Sequence, residues 1–149
     1  MSIKKSFSLI EVLIFVTILS VFLIISAAVI TVSMRQNTLR INSLKATHYS
    51  GQLLEWIRNE KEIDWNTIIK KDTSTGTTYC FNDEALSIWP TEGLCAAAEY
   101  GLAGAYKRYA LIKNIGTPPS KIEVTIYTEW QEAGNNYSTK LHTVFSLWE

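Results

Sequence analysis

The chain has very few helix-breaking residues over a long N-terminal stretch. Between Phe7 and Lys61 there is no proline, and Gly51 is the only glycine, although the 149-residue sequence holds three prolines and seven glycines. Proline removes a backbone donor and clashes inside a helix, and glycine weakens one. Their scarcity predicts one long helix from Phe7 to about Lys61.

Charged residues are also absent from a long stretch near the N-terminus, as a membrane-spanning segment requires. The sequence carries 14 basic and 14 acidic residues, a formal net charge of zero, which argues against a nucleic-acid platform built on net charge. From Val12 to Met34, about 23 residues rich in Ile, Val, Leu and Phe are uncharged. At 1.5 Å per residue, a helix of this length spans roughly 35 Å, enough to cross a bilayer.

Cysteine is scarce, and both cysteines, Cys80 and Cys95, lie in the polar half of the chain. If that half is outside the cytoplasm, we expect a disulfide that closes a loop of about 15 residues and contributes on the order of 3 kcal/mol. Two reduced, buried thiols remain the alternative.

Groups that would form a metal or catalytic site are sparse. His48 and His142 are far apart and have no Cys or His at metal-ligand spacing, and Asp83-Glu84 alone is not a calcium loop. Nothing resembles an activated nucleophile or a glycine loop for phosphate. We therefore expect no metal, no cofactor and no enzymatic activity.

Large aromatic and paired basic residues have simple interpretations. The tryptophans are expected to pack in a core or interface rather than to stack on a ligand; they are Trp56, Trp65, Trp89, Trp130 and Trp148. Lys70-Lys71 and Lys107-Arg108 are expected on a solvated face rather than in a nucleic-acid patch.

The charge at Glu11 interrupts the apolar stretch that begins at Phe7, just behind Lys4 and Lys5. An ionisable group in a membrane segment costs a few kcal/mol unless it has a partner, so Glu11 is a candidate functional residue. The alternative is a carboxylate that lies near the headgroups and reaches water.

The hydrophobic pattern after Met34 predicts an α+β fold. The helix becomes amphipathic, and its apolar stripe is expected to pack on the rest of the chain; the stripe is Ala46, Tyr49, Leu53, Trp56 and Ile63. The helix is expected to fray between Asn59 and Lys71, where Asp64-Trp65-Asn66 could start another turn.

The C-terminal half predicts a small antiparallel sheet. Strands are expected at Tyr106–Lys113, Lys121–Gln131 and Tyr137–Trp148, a short strand at Thr78–Phe81, and a helical turn at Ala96-Ala97-Ala98. In the second of the long strands, apolar residues and Thr128 alternate with polar ones. Turns are expected at Gly116–Pro119 and at Ala133-Gly134-Asn135-Asn136.

The leader pattern is the most specific motif. The run Lys4-Lys5-Ser6-Phe7-Ser8-Leu9-Ile10-Glu11-Val12 resembles the leader of type IV pilins and type II secretion pseudopilins. In that family a basic leader ends in a small residue, followed by Phe, a Thr/Ser-Leu-Ile/Leu-Glu run and an apolar helix. The closing strands, with Trp130 and Trp148, look like those of minor subunits.

The resemblance implies a processing and assembly pathway. A prepilin peptidase would cut between Ser6 and Phe7 and methylate the new amine of Phe7, with Lys4 and Lys5 as the leader charge. Residues 1–6 would be the leader peptide, residues 7–34 the transmembrane and filament-core half of the helix, and residues 35–149 an extracytoplasmic pilin-like domain. Glu11 would pair with the amine of a neighbouring subunit as helices bundle, with an inner-membrane platform as the assembly partner.

Departures from the pattern and other functions remain open. Glycine usually precedes the cut, whereas this chain has Ser6, and the helix lacks the proline that many pilins carry. Flanking charge is nearly tied, with Lys4, Lys5 and the terminal amine on one side and Arg35, Arg40 and Lys45 on the other, so the expected disulfide decides the orientation. The alternatives are a membrane-anchored extracytoplasmic binding module that does not polymerise, and a domain secreted after ordinary signal cleavage near Ser26-Ala27-Ala28. Binding of DNA or a surface ligand has no support in the sequence.

Overall fold

A computed structural model describes residues 8–73, 75–96, 99–116 and 118–147. The chain divides into two compact units, with the division between Arg40 and Ile41. The predicted leader residues Lys4, Lys5, Ser6 and Phe7 lie outside the described residues.

The long helix is present as α1, Leu9–Ile63, and its end lies two residues beyond the predicted Lys61. A short helix, α2, follows at Trp65–Ile69 and is capped by Asp64. The Asp64 carboxylate accepts hydrogen bonds from the backbone N–H groups of Asn66 and Thr67 at 2.9 and 3.3 Å, and from the Thr67 hydroxyl at 2.6 Å. These bonds, the Thr67 hydroxyl first, stabilise the ionised form and lower the pKa of Asp64.

Four strands form one antiparallel sheet in the order β1-β2-β3-β4. They are β1 (Thr77–Cys80), β2 (Tyr106–Ile115), β3 (Lys121–Glu132) and β4 (Asn135–Ser146). The predicted strands are confirmed, with β2 two residues longer than expected. The part of the predicted helical turn at Ala97 and Ala98, and Trp148 at the end of the predicted last strand, lie outside the described residues.

The β3–β4 turn is shorter than predicted. Asn135 already pairs with Glu132, so only Ala133 and Gly134 connect the strands. Their φ angles are 49° and 79°. Two successive positive φ values are the requirement of a type I′ turn, whose twist matches that of the flanking strands.

From Ile41 onward, α1 packs on one face of the sheet. Leu53 and Ile57 are fully buried in a core with strand residues that include Ile112, Ile122 and Ile126. The predicted stripe is right at Ala46 and Leu53, but Ile63 is 79% exposed. Residues spaced seven apart drift about 20° per step around a straight helix, so the line from Tyr49 and Trp56 turns off the core before Ile63.

The predicted alternation in β3 is confirmed. Five alternate side chains are buried: Ile122, Val124, Ile126, Thr128 and Trp130. Trp130 belongs to a second cluster with Ala46, Leu102 and Tyr106. One face of β3 therefore carries the contact with α1 along the length of the strand.

Candidate assembly helix and the buried arginine

The first part of α1 is an exposed apolar rod. Its large apolar side chains between Leu9 and Met34 are all exposed, from 43% at Leu19 to 83% at Leu9. An 18-residue window of the helix has a mean hydropathy of 3.0, and none of its residues is buried within the structure. The helix is long and apolar enough to span a membrane. An apolar surface of this extent needs lipid or protein to cover it.

Four hydroxyl groups on this rod are satisfied by the helix itself. Each donates to a backbone carbonyl three or four residues earlier; the pairs are Thr17 to Ile14, Ser20 to Thr17, Ser26 to Phe22 and Thr31 to Ala27, at 2.8–3.0 Å. Such bonds remove the cost of bringing a free hydroxyl into an apolar medium. These four hydroxyl groups therefore lie in the apolar segment without leaving an unsatisfied donor.

Glu11 lies in the first turn of α1, where its negative charge is favoured by the helix dipole. The turn is closed by bonds from the N–H groups of Glu11 and Val12 to the Ser8 carbonyl at 3.0 and 3.3 Å. The neighbouring side chains Ile10 and Phe15 are apolar and exposed. The salt bridges within residues 8–73, 75–96, 99–116 and 118–147 do not include Glu11. The described part of the chain thus presents this carboxylate without a cation.

The predicted disulfide is confirmed. Cys80 and Cys95 are joined with Cα atoms 5.0 Å apart and a sequence separation of 15. The bond links the end of β1 to the loop that follows it. The same loop lies along β1, because Gly93 N–H donates to the Thr78 carbonyl at 2.8 Å.

The sequence prediction was wrong for Arg108, which was expected on a solvated face. Arg108 is 0% exposed. Its Nε donates to the Phe81 carbonyl at 3.2 Å, and its two terminal nitrogens donate to the carbonyls of Tyr49 at 2.7 Å and Asp83 at 3.1 Å. Burial lowers the pKa of Arg108 to about 10, because the low-dielectric interior disfavours the charged form.

A second hydrogen-bond group that the sequence did not indicate ties α1 to the sheet. Asn42 donates to a carboxylate oxygen of Glu132 at 2.9 Å and accepts from the Tyr106 hydroxyl at 3.0 Å. The register of β2 could have indicated Arg108, because Tyr106, Ala110 and Ile112 share its face and are buried. No comparable signal in the sequence marks Asn42.

Tryptophan packing follows the prediction within the described residues. Trp56 and Trp89 both pack edge-on against Phe81, at centroid distances of 5.4 and 5.5 Å. Trp89 Nε1 donates to a Glu60 carboxylate oxygen at 3.0 Å, and Trp65 packs against the same core. These indoles hold the disulfide loop against α1.

The remaining candidates have local partners. His48 contacts Gln52 at 3.1 Å, and His142 contacts Glu123 at 2.9 Å. Lys71 lies 4.9 Å from the centroid of the Trp89 ring, and Lys107 pairs with Glu129 at 3.1 Å. In the described part of the chain, no three His, Cys, Asp or Glu side chains converge as a metal site would require.

Surface grooves are shallow and open. One of about 440 Å³ is lined mainly by residues of the disulfide loop, including Phe81, Leu86 and Pro90. Another, of about 460 Å³, lies beside Asn42 and Tyr106. Neither groove brings together an evident set of reactive groups. Comparison with known proteins finds no matching protein-family model, curated protein or solved structure.

Proposed function

We propose that this protein is a structural subunit, of the minor type, of a type IV pilus or of a related secretion or DNA-uptake filament. The observation that carries the proposal is the continuity of the leader pattern Lys4–Val12 with an exposed apolar helix that has Glu11 in its first turn. The α+β fold, with the later half of α1 packed on an antiparallel sheet, is compatible with a pilin-like subunit. The proposed role is structural, not enzymatic.

The proposed pathway begins with cleavage. A prepilin peptidase cuts between Ser6 and Phe7 and methylates the new amine of Phe7. The chain then waits as a single-pass membrane protein with residues 35–149 outside the cytoplasm, where oxidation of Cys80 and Cys95 is chemically favoured. An inner-membrane platform moves the subunit from lipid into a filament.

In the filament, Glu11 pairs with the Phe7 amine of a neighbouring subunit. The attraction between opposite charges in an apolar bundle greatly exceeds its value in water, although desolvation offsets much of the gain. The pair therefore sets the register between helices more than it adds net stability.

Mass spectrometry of the N-terminus tests the proposal. The protein is produced in a bacterium with its prepilin peptidase, and in the same strain with an inactive peptidase as the control. We expect loss of residues 1–6 and one added methyl group only where the peptidase is active. An intact terminus in both strains, or a cut near Ala28, would contradict the proposal.

Shearing of whole cells separates assembly from simple anchoring. A filament subunit is released with surface filaments, or is enriched in a filament fraction of the periplasm. If all processed protein stays in the membrane, the alternative of an anchored extracytoplasmic binding module is favoured.

A further inference from the structure

Arg108 brings together two segments that are far apart in the sequence. One of its three carbonyl acceptors, Tyr49, lies in α1, and the other two, Phe81 and Asp83, directly follow β1. The guanidinium is therefore a bridge between the helix and the start of the disulfide loop.

The disulfide holds the loop side of this bridge. Cys80 immediately precedes Phe81, whose N–H donates to the Arg108 carbonyl at 2.9 Å. On the other side of the disulfide, Cys95 Sγ lies 3.4 Å from the same carbonyl oxygen. Both ends of the disulfide thus adjoin Arg108 or one of its acceptors.

The bridge depends on all of its acceptors because the charge is buried. Within the described residues, no carboxylate forms a salt bridge with Arg108. Among the described residues, the three carbonyl dipoles are the hydrogen-bond acceptors that compensate the cation, and a buried charge that loses its partners must regain water. Movement of Phe81 and Asp83 would leave the guanidinium with only one of these three acceptors, the Tyr49 carbonyl, and would weaken its hold on α1.

We propose that Arg108 couples the Cys80–Cys95 disulfide to the packing of α1, so that oxidation of the two thiols fixes the helix on the sheet. Oxidation occurs by exchange with an external disulfide: the Sγ–Sγ bond forms, and the external disulfide accepts the two electrons and two protons and leaves as a dithiol. Reduction by a dithiol reverses each of these changes. The inference does not depend on filament assembly.

Hydrogen exchange of the full chain in detergent micelles tests the coupling. Exchange is followed by mass spectrometry with and without dithiothreitol, in the wild type, in Arg108→Met and in Arg108→Lys. In the wild type, we expect reduction to lower protection about tenfold both in the disulfide loop and in α1 between Ala46 and Ile57, with little change in β4. In both variants, reduction should still affect the loop but should no longer affect α1.

Arg58→Met is the matched control, because it removes an exposed cation from α1, the helix whose protection is measured. It should respond to reduction as the wild type does. Unchanged protection of α1 in the reduced wild type would overturn the proposal. An equal loss of protection in β4 would also overturn it, because that pattern indicates general destabilisation. Both of these outcomes are measured on the wild type, so they can overturn the proposal even if an Arg108 variant fails to fold.

Discussion

Ser50 of α1 and Thr128 of β3 share a buried hydrogen bond of 2.8 Å between their hydroxyl oxygens. Both side chains are fully buried, and the Ser50 hydroxyl is also 3.1 Å from the Ala46 carbonyl. When Ser50 donates to Ala46, Thr128 must donate to Ser50. This pair therefore contributes a directional contact at the centre of the helix–sheet interface.

Removal of the two hydroxyl groups should have non-additive effects on stability. Ser50→Ala leaves the Thr128 hydroxyl buried without its acceptor, and we expect a loss of about 1–2 kcal/mol in the free energy of unfolding. Thr128→Val should cost a similar amount, and the double variant should cost about 1 kcal/mol less than the sum. Denaturant unfolding of the four proteins in detergent measures the cycle, and strict additivity would contradict the contact.

The β3–β4 turn should be improved by a residue that accepts positive φ. Ala133 has a φ of 49°, a conformation that disfavours residues with a β-carbon other than Asn and Asp. Ala133→Asn should raise the free energy of unfolding by about 0.5–1 kcal/mol, because Asn-Gly suits a type I′ turn. Ala85→Asn, at an exposed loop position, is the control and should give no gain. Thermal unfolding of both variants checks the difference.

Alkaline pH should destabilise the sheet through Tyr109. Burial, followed by the Glu129 carboxylate that accepts its hydroxyl hydrogen bond at 2.8 Å, raises the pKa of Tyr109 above its ordinary value. The folded state therefore keeps a proton that the unfolded state loses above about pH 10, so the stabilisation is complete below that pH and is lost as the pH rises further.

Tyr109→Phe tests this dependence. The fall in unfolding free energy between about pH 8 and about pH 11 should be shallower in the variant than in the wild type. Tyr137→Phe serves as the control, because Tyr137 stacks on Trp130 and has no hydrogen bond to a carboxylate among the described residues. Equal slopes for wild type and Tyr109→Phe would refute the assignment.

Glu11→Ala should separate membrane insertion from assembly. The variant removes a charge from the apolar segment, so insertion and cleavage should continue, whereas incorporation into filaments should fall at least about tenfold. Glu11→Gln keeps the shape without the charge and should assemble equally poorly. Immunoblots of sheared and cell-bound fractions measure incorporation, and normal amounts of either variant in filaments would remove the proposed register role.

The fold could be predicted from the sequence where a pattern repeats over many residues. The alternating apolar residues of β3 indicated a half-buried strand, and the long stretch without proline indicated α1. The stripe failed at Ile63 because a seven-residue spacing does not follow a straight helix over several turns. The turn that begins at Ala133 was predicted to be longer than it is, because Ala is an unusual residue for positive φ.

The interior contacts were harder to predict because they depend on pairs distant in the sequence. Arg108 belongs to a residue type that is seldom buried, and its acceptors are backbone carbonyls that any residue could supply. The disulfide was predictable because the chain offers one pair of cysteines. The predicted roles of Ser6, Phe7 and Glu11 remain predictions that the N-terminal and filament experiments address.

The hydroxyl groups of the apolar rod have a consequence for moving it between environments. Since Thr17, Ser20, Ser26 and Thr31 bond to their own helix, none must exchange a partner when the surrounding medium changes. Transfer from one apolar phase to another then leaves their hydrogen-bonding energy almost unchanged. Within the described part of the apolar segment, the cost of that transfer therefore falls mainly on its one ionisable side chain, Glu11.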